Sequence, residues 1–111
     1  MSQKLWQASL KQKRNSNLFE FEEFLAKKFN YSPKKNYKKL FSWTIKNPKL
    51  FWSSIWEYSN LKGIKNDKFY FPKEIIKSKF LVKSKLNYAE NLLSKNDNSK
   101  AVTFISENGY R

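Results

Sequence analysis

A catalytic reading of this chain has to start from its carboxylates, because the other usual reagents are scarce. Glu22-Glu23 is an adjacent acidic pair, and Glu90 stands apart in "LNYAENLL". Paired carboxylates can divide acid and base duties when their environments differ. Both sites have a simpler local explanation. Glu20, Glu22 and Glu23 fall in the first two turns of a helical stretch, where negative charge suits the positive end of the helix dipole. Glu90 follows Asn87 by three residues, the spacing of a capping box. The 111 residues include no cysteine and no histidine. That removes disulfides, cysteine-based zinc sites, the usual metal ligands and the commonest general base. Two isolated glycines, Gly63 and Gly109, cannot make a Gly-rich phosphate loop. The chain therefore offers no candidate catalytic, cofactor-binding or metal-ligating residue.

The charge invites a different chemistry. Lys and Arg number 23 against 9 Asp and Glu, a formal net charge of +14, which suits nucleic acid. Two details argue against specific recognition. Only Arg14 and Arg111 carry the planar guanidinium fork that reads phosphates and bases; every other cation is lysine. The lysines also occur in nearly every segment and form no single stripe, as a solvated surface does. Abundant Lys, Asn, Ile, Phe and Tyr with few Gly and Pro is the set that A/T-rich codons encode. The expectation is no specific nucleic-acid partner. No apolar run approaches the roughly 18 residues of a membrane span, and "MSQKLWQASLKQKRNS" has no apolar signal region. A cytoplasmic protein without a membrane partner is the expectation.

The elements that would position any site are mostly helical. After an irregular N-terminal stretch, "SNLFEFEEFLAKKFN" reads as a helix, with Asn17 and Glu20 spaced as a capping box. Its apolar stripe is Leu18, Phe21, Phe24, Leu25 and Phe29. "YSPKKN" breaks the pattern, because the residue before a proline is pushed out of the helical region. A second helix is expected over 37–46, facing inward through Leu40, Phe41, Thr44 and Ile45. Asn47 can cap the third, with Pro48 at the first helical position. Phe51, Trp52, Ile55 and Trp56 then share one face. Such a stripe could wall a ligand, but core packing explains it with nothing added. Gly63 closes the connection that follows.

From Phe69 the character shifts. "FYFP" and "EII" suggest short extended pieces, with Pro72 arguing against a central strand. "KSKFLVKSK" could be a basic patch, but a short apolar segment between solvated lysines explains it with nothing added. "LNYAENLLSK" is helical with Asn87 as its cap, and "KNDNSK" is a polar loop. Ala101 to Ser106 reads as a buried strand through Val102, Phe104 and Ile105, with Asn108-Gly109 as a primed hairpin turn. The fold class is mainly α with a few short strands.

Several stretches together resemble one family. "LWQAS", "SNL", "YKKLFSWTIKNP", "FWSSIWEY" and "LNYAENLL" stand in the order and spacing of the N-terminal region of acetoacetyl-CoA synthetases. These are adenylate-forming acyl-CoA ligases related to acetyl-CoA synthetase. The resemblance runs from Leu5 to Arg111, and "ENGYR" is similar to the first hairpin turn of the family's adenylation domain. Two departures stand out. Ala8 occupies a position where the family commonly has proline, and Phe80-Leu81-Val82-Lys83 replaces the usual Trp-Phe-Pro-Gly.

The resemblance implies a helical N-terminal domain over 1–95, then the truncated start of an adenylation domain over 96–111. For the parent enzyme it implies ATP, Mg2+ and CoA. Acetoacetate would be activated as an acyl-adenylate, and the CoA thiol would displace AMP. The family's phosphate loop, substrate pocket and catalytic lysine would lie beyond Arg111, so no functional residue carries over. The implied partner is the remainder of the same polypeptide. Two alternatives stay open: a ligase for another short acyl chain, and a standalone basic helical module that binds nucleic acid or an acidic partner.

Overall fold

A computed structural model describes residues 3–31 and 36–110. Within them the chain is mainly helical with short antiparallel strands, as the pattern predicts. The first helix, α1 (Leu10–Arg14), falls in the stretch expected to be irregular. Ser9 caps it: its side chain accepts from the Gln12 N–H at 3.2 Å, and the Gln12 side chain accepts from the Ser9 N–H at 2.8 Å. This reciprocal box satisfies two backbone donors at once, and it can hold a helix with no buried residue.

The helix α2 (Asn17–Phe29) is capped by Ser16, whose hydroxyl accepts from the Phe19 N–H. The cap is therefore Ser16 and not Asn17, which becomes the first helical residue. Asn30 ends α2 in the left-handed region at φ 50°, a conformation that asparagine tolerates better than most residues. The proline-associated break proposed at Ser32 lies outside the described residues.

The next pair matches the sequence boundaries. Helix α3 (Tyr37–Lys46) is capped by Asn36, and α4 (Pro48–Tyr58) has Pro48 at its first position. Asn47 precedes α4 without a side-chain capping bond; its amide instead donates back to the Trp43 carbonyl at 3.1 Å.

The core forms where these helices meet. Phe21, Leu25 and Leu40 are buried together, with Phe24, Phe29, Trp43, Phe51, Ile55 and Tyr58 packed around them. Trp56 is buried as well. Rings meet edge-on, Phe21 with Phe51 at 6.1 Å and Phe21 with Tyr58 at 5.2 Å, the arrangement that ring quadrupoles favour. The inward face of α3 differs from expectation. Leu40 is buried, but Phe41 and Ile45 are exposed, and Trp43 packs inward in their place. Leu18 of the α2 stripe is exposed too.

After α4 the chain forms an irregular hairpin. Strand β1 (Gly63–Ile64) pairs antiparallel with β2 (Lys85–Leu86). Beyond them Ser84 Oγ bonds both backbone groups of Asn66, the Val82 N–H reaches the Lys68 carbonyl at 2.7 Å, and Tyr70 bridges Lys79. A 3₁₀ turn (Ile75–Lys77) replaces the extended piece expected at "EII". Gly63 is the first residue of β1, where the connection after α4 ends as expected. A Cβ there would stand 2.4 Å from the Lys85 carbonyl oxygen, so only glycine allows the two backbones this close.

Helix α5 (Tyr88–Leu92) has the expected Asn87 cap, accepting from the Glu90 N–H at 3.1 Å. Asn91 then joins α5 to the hairpin, accepting from the Lys62 N–H at 2.7 Å and donating to the Lys62 carbonyl at 2.9 Å. The final pair is β3 (Ile105–Ser106) with β4 (Gly109–Tyr110). The strand is two residues long and not the six expected, and its turn is Glu107-Asn108. Neither of those residues has positive φ; Gly109 does, at 110°. The primed turn expected at Asn108-Gly109 is therefore absent.

Candidate functional site

The carboxylates singled out in the sequence are not brought together. Glu22 is buried on α2, Glu23 is exposed on the same helix, and Glu90 is exposed on α5. Among the described residues, no group of three His, Cys, Asp or Glu side chains could hold a metal ion. Both glycines lie in short strands and not in a Gly-rich loop.

What the fold does assemble is an apolar groove of about 560 Å3. Its floor is aromatic. Trp52 of α4 meets Phe80 edge-on at 5.2 Å, and Phe80 meets Phe71 edge-on at 5.3 Å. Ile45 and Pro48, at the junction of α3 and α4, form one wall; Ile75, at the hairpin tip, forms the other. Trp52 was legible as part of an aromatic face. Phe71 and Phe80 were not, because only the hairpin carries them back onto α4.

Ile45, Trp52, Ile75 and Phe80 are all exposed, and so is the adjacent Ile76 at 91 %. The whole chain has an accessible surface of 10382 Å2, where a compact monomer of this mass would have about 6,500 Å2. Its radius of gyration is 19.2 Å, against about 13 Å for a compact domain of this length. Much of the apolar surface is thus left uncovered.

A second, more open cleft of about 540 Å3 lies along α3, with Lys38, Lys39 and Lys46 on its rim. Tyr31 stacks on Trp43 there at 4.9 Å, and its buried hydroxyl has no hydrogen-bond partner among the described residues. Burial, and then the nearby Glu22 carboxylate, raise that phenol above its ordinary value.

The hairpin is anchored by charge. Glu57 accepts from Lys28 of α2 and from Lys65 at 2.6 Å, and Lys65 also reaches Ser53 Oγ at 2.6 Å and Asp67 at 3.3 Å. The hydrogen bonds from Lys28 and then Lys65 hold the Glu57 carboxyl below its ordinary value. Partial burial works against the Lys65 ammonium, but its bonds to Glu57 and Asp67 outweigh this and raise it. Tyr58 adds a link to α2, its hydroxyl 3.2 Å from the Asn17 carbonyl and 3.3 Å from the Glu20 carboxylate. These contacts tie α2 and the start of the hairpin to α4.

The chain is similar to two curated proteins. It is 30 % identical to the acetoacetyl-CoA synthetase of Gallus gallus over 111 residues, which is 97 % of this chain and 16 % of that protein. It is 26 % identical to the acetoacetyl-coenzyme A synthetase of Rhizobium meliloti (strain 1021) over 104 residues, 93 % of this chain and 16 % of that protein. The chain thus spans about 16 % of the length of the curated relatives it matches. No protein-family model matches it, and no solved structure does. Among the described residues, no helix is long and apolar enough to cross a membrane.

Proposed function

We propose that this chain is the N-terminal part of an acetoacetate–CoA ligase, an enzyme that joins acetoacetate to CoA through an acyl-adenylate at the expense of ATP. The observation that supports this is the similarity to two acetoacetyl-CoA synthetases from distant organisms, along nearly the whole of this chain but a small part of each of them. In this reading residues 1–95 are a helical N-terminal domain, and 96–111 begin the adenylation domain. The segment's own role is structural. ATP, Mg2+ and CoA would be held by the polypeptide that follows, which would also be this segment's partner, in the cytoplasm.

The reading accounts for features that a self-sufficient domain explains poorly. The β3–β4 pair is two residues long on each side, and Val102, Phe104 and Ile105 are exposed around it. Short hairpins of this kind need a larger sheet or a packed face to be stable.

The test is the coding DNA downstream of codon 111. An open frame running into a Gly/Ser/Thr-rich loop followed by lysine is the expected result. A stop codon at that point, with a functional short product, would sink the proposal. On the same reading the 111-residue chain given ATP, acetoacetate and CoA should release AMP only at background. Turnover by the purified chain would place the chemistry within it and overturn the assignment.

A further inference from the structure

We infer that Asn108-Gly109 is a site of spontaneous deamidation, where the Gly109 nitrogen attacks the Asn108 side chain and expels its amide. Asn108 is the one asparagine in the sequence followed by glycine. That matters because a side chain on the attacking residue crowds the approach of its own nitrogen. The turn adds no crowding either: a Cβ built on Gly109 would meet no atom within 4 Å.

The structure also supplies the freedom that the attack needs. Asn108 is exposed, and its side chain makes no hydrogen bond among the described residues; only its backbone N–H is used, donating to Ser106 Oγ at 3.3 Å. Asn87 and Asn91 show the contrast. The first accepts from the Glu90 N–H at 3.1 Å, and the second holds both backbone groups of Lys62. Gly109 is tied through the β3–β4 register, in which Ser106 faces Gly109 and Ile105 faces Tyr110. A strand pair this short is marginal in water and opens locally, and the neighbouring Val102, Phe104 and Ile105 are exposed.

The chemistry needs only water and hydroxide. The Gly109 nitrogen loses its proton and attacks Asn108 Cγ. An N–C bond forms, the Cγ–Nδ2 bond breaks, and the leaving nitrogen takes a proton from water to depart as ammonia. Water then opens the cyclic imide. Addition at Cγ breaks the new bond and leaves aspartate; addition at the main-chain carbonyl breaks the original peptide bond and leaves isoaspartate. The second product lengthens the main chain by a methylene, so the pairing of Ser106 with Gly109 is lost. None of this depends on the ligase assignment, and each can fail without the other.

The test is incubation of the purified 111-residue chain at neutral and mildly alkaline pH, followed by trypsin and mass spectrometry. Cleavage after Lys100 releases "AVTFISENGYR", and the same synthetic peptide, incubated alongside, gives the rate of an open turn. This peptide should gain the mass of an amide-to-acid change, as aspartate and isoaspartate forms that chromatography separates. The rate in the chain should lie within about tenfold of the free peptide's and rise with pH, while Asn87 and Asn91 keep their amides. Gly109→Ala should slow it by about tenfold or more. A chain rate further below the peptide's would mean that the β3–β4 pair shields Asn108, and equal conversion at Asn87 and Asn91 would mean that the turn is not special. Aspartate without isoaspartate would mean direct hydrolysis, and an unchanged rate in Gly109→Ala would take glycine out of the reaction. Any of these results, or conversion in neither chain nor peptide, overturns the inference.

Discussion

The Glu57 carboxylate stands 2.6 Å from the Lys65 ammonium, and its second oxygen accepts from Lys28. One side chain on α4 thereby holds α2 on one side and the first turn of the hairpin on the other. Lys65 also donates to Ser53 Oγ, a second tie between α4 and the start of the hairpin. The same hairpin carries Phe80 onto Trp52 and Phe71 onto Phe80.

Stability should follow the charge state of this network. Glu57 titrates below its ordinary value in the folded chain, so its contribution is full above the ordinary carboxylate range and is lost as pH falls through the lowered folded value. Lys65 titrates above its ordinary value, so its contribution is full below that value and is lost as pH rises through the raised one. Between these limits the network is intact. Glu57 is 37 % exposed, and solvent screening holds such pairs to roughly 0.2–1 kcal/mol each. Glu57→Gln should cost about that much at pH 7 and flatten the acid limb, as read by urea denaturation across pH. An acid limb of unchanged slope in the variant would assign the pH dependence elsewhere.

Ser54 points to a gain. It is fully buried on α4, and its hydroxyl has no hydrogen-bond partner among the described residues. An unsatisfied buried polar group costs about 1–3 kcal/mol, and alanine is the better helix former. Ser54→Ala should raise the denaturation midpoint. A loss exceeding about 1 kcal/mol would mean that the hydroxyl has a partner in solution.

One helix position read correctly from sequence and one misjudged give a matched pair of variants. Leu25→Ala removes a fully buried side chain and should cost about 2–5 kcal/mol. Phe41→Ala removes a larger one that is 54 % exposed and, among the described residues, stacks only on Tyr37, at 6.3 Å. Its cost should stay within about 0.5 kcal/mol. Comparable losses in the two would restore Phe41 to the core.

Local signals were legible because they depend on few residues. Pro48 and the apolar spacing fixed α4, and Asn87 fixed the start of α5. The Asn17 cap slipped by one because Ser16 competes for the same role with the same chemistry. Phe41 and Ile45 satisfy the helical period but face the open side of α3. Periodicity shows that a face is apolar and cannot show whether anything covers it. The hairpin over 63–86 was illegible for a related reason. Its pairs are separated by many residues, and side-chain bonds from Ser84 and Asn91 complete them. The groove inherits that illegibility, since half of its lining arrives with the hairpin.

Gly63 tests the hairpin directly. Its φ of 153° and the 2.4 Å approach of the Lys85 oxygen to an added Cβ leave alanine no room unless the strands part. Gly63→Ala should destabilise by more than the 0.5–1 kcal/mol or so that separates the two residues in an ordinary strand. Faster amide exchange at Ile64 and Leu86, with α2 unaffected, is the expected signature. Unchanged exchange across β1–β2 would show that the pairing tolerates a side chain.

Lys83 offers the converse substitution. It sits at φ 67°, with Leu81 nearby at 46°, in the left-handed region that costs an ordinary residue roughly 1–2 kcal/mol. The backbone there takes a conformation that suits glycine although the residue is lysine. Glycine removes that strain but gives the unfolded chain more freedom, an opposing effect of about 0.4–1 kcal/mol. The lysine head group is exposed and in no ion pair among the described residues, so little else is lost with it. Lys83→Gly should therefore stabilise the chain by a few tenths to about 1 kcal/mol. Lys83→Ala, which keeps the strain, should not. Equal effects of the two variants in denaturant titrations would show that the strain at position 83 is absent in solution.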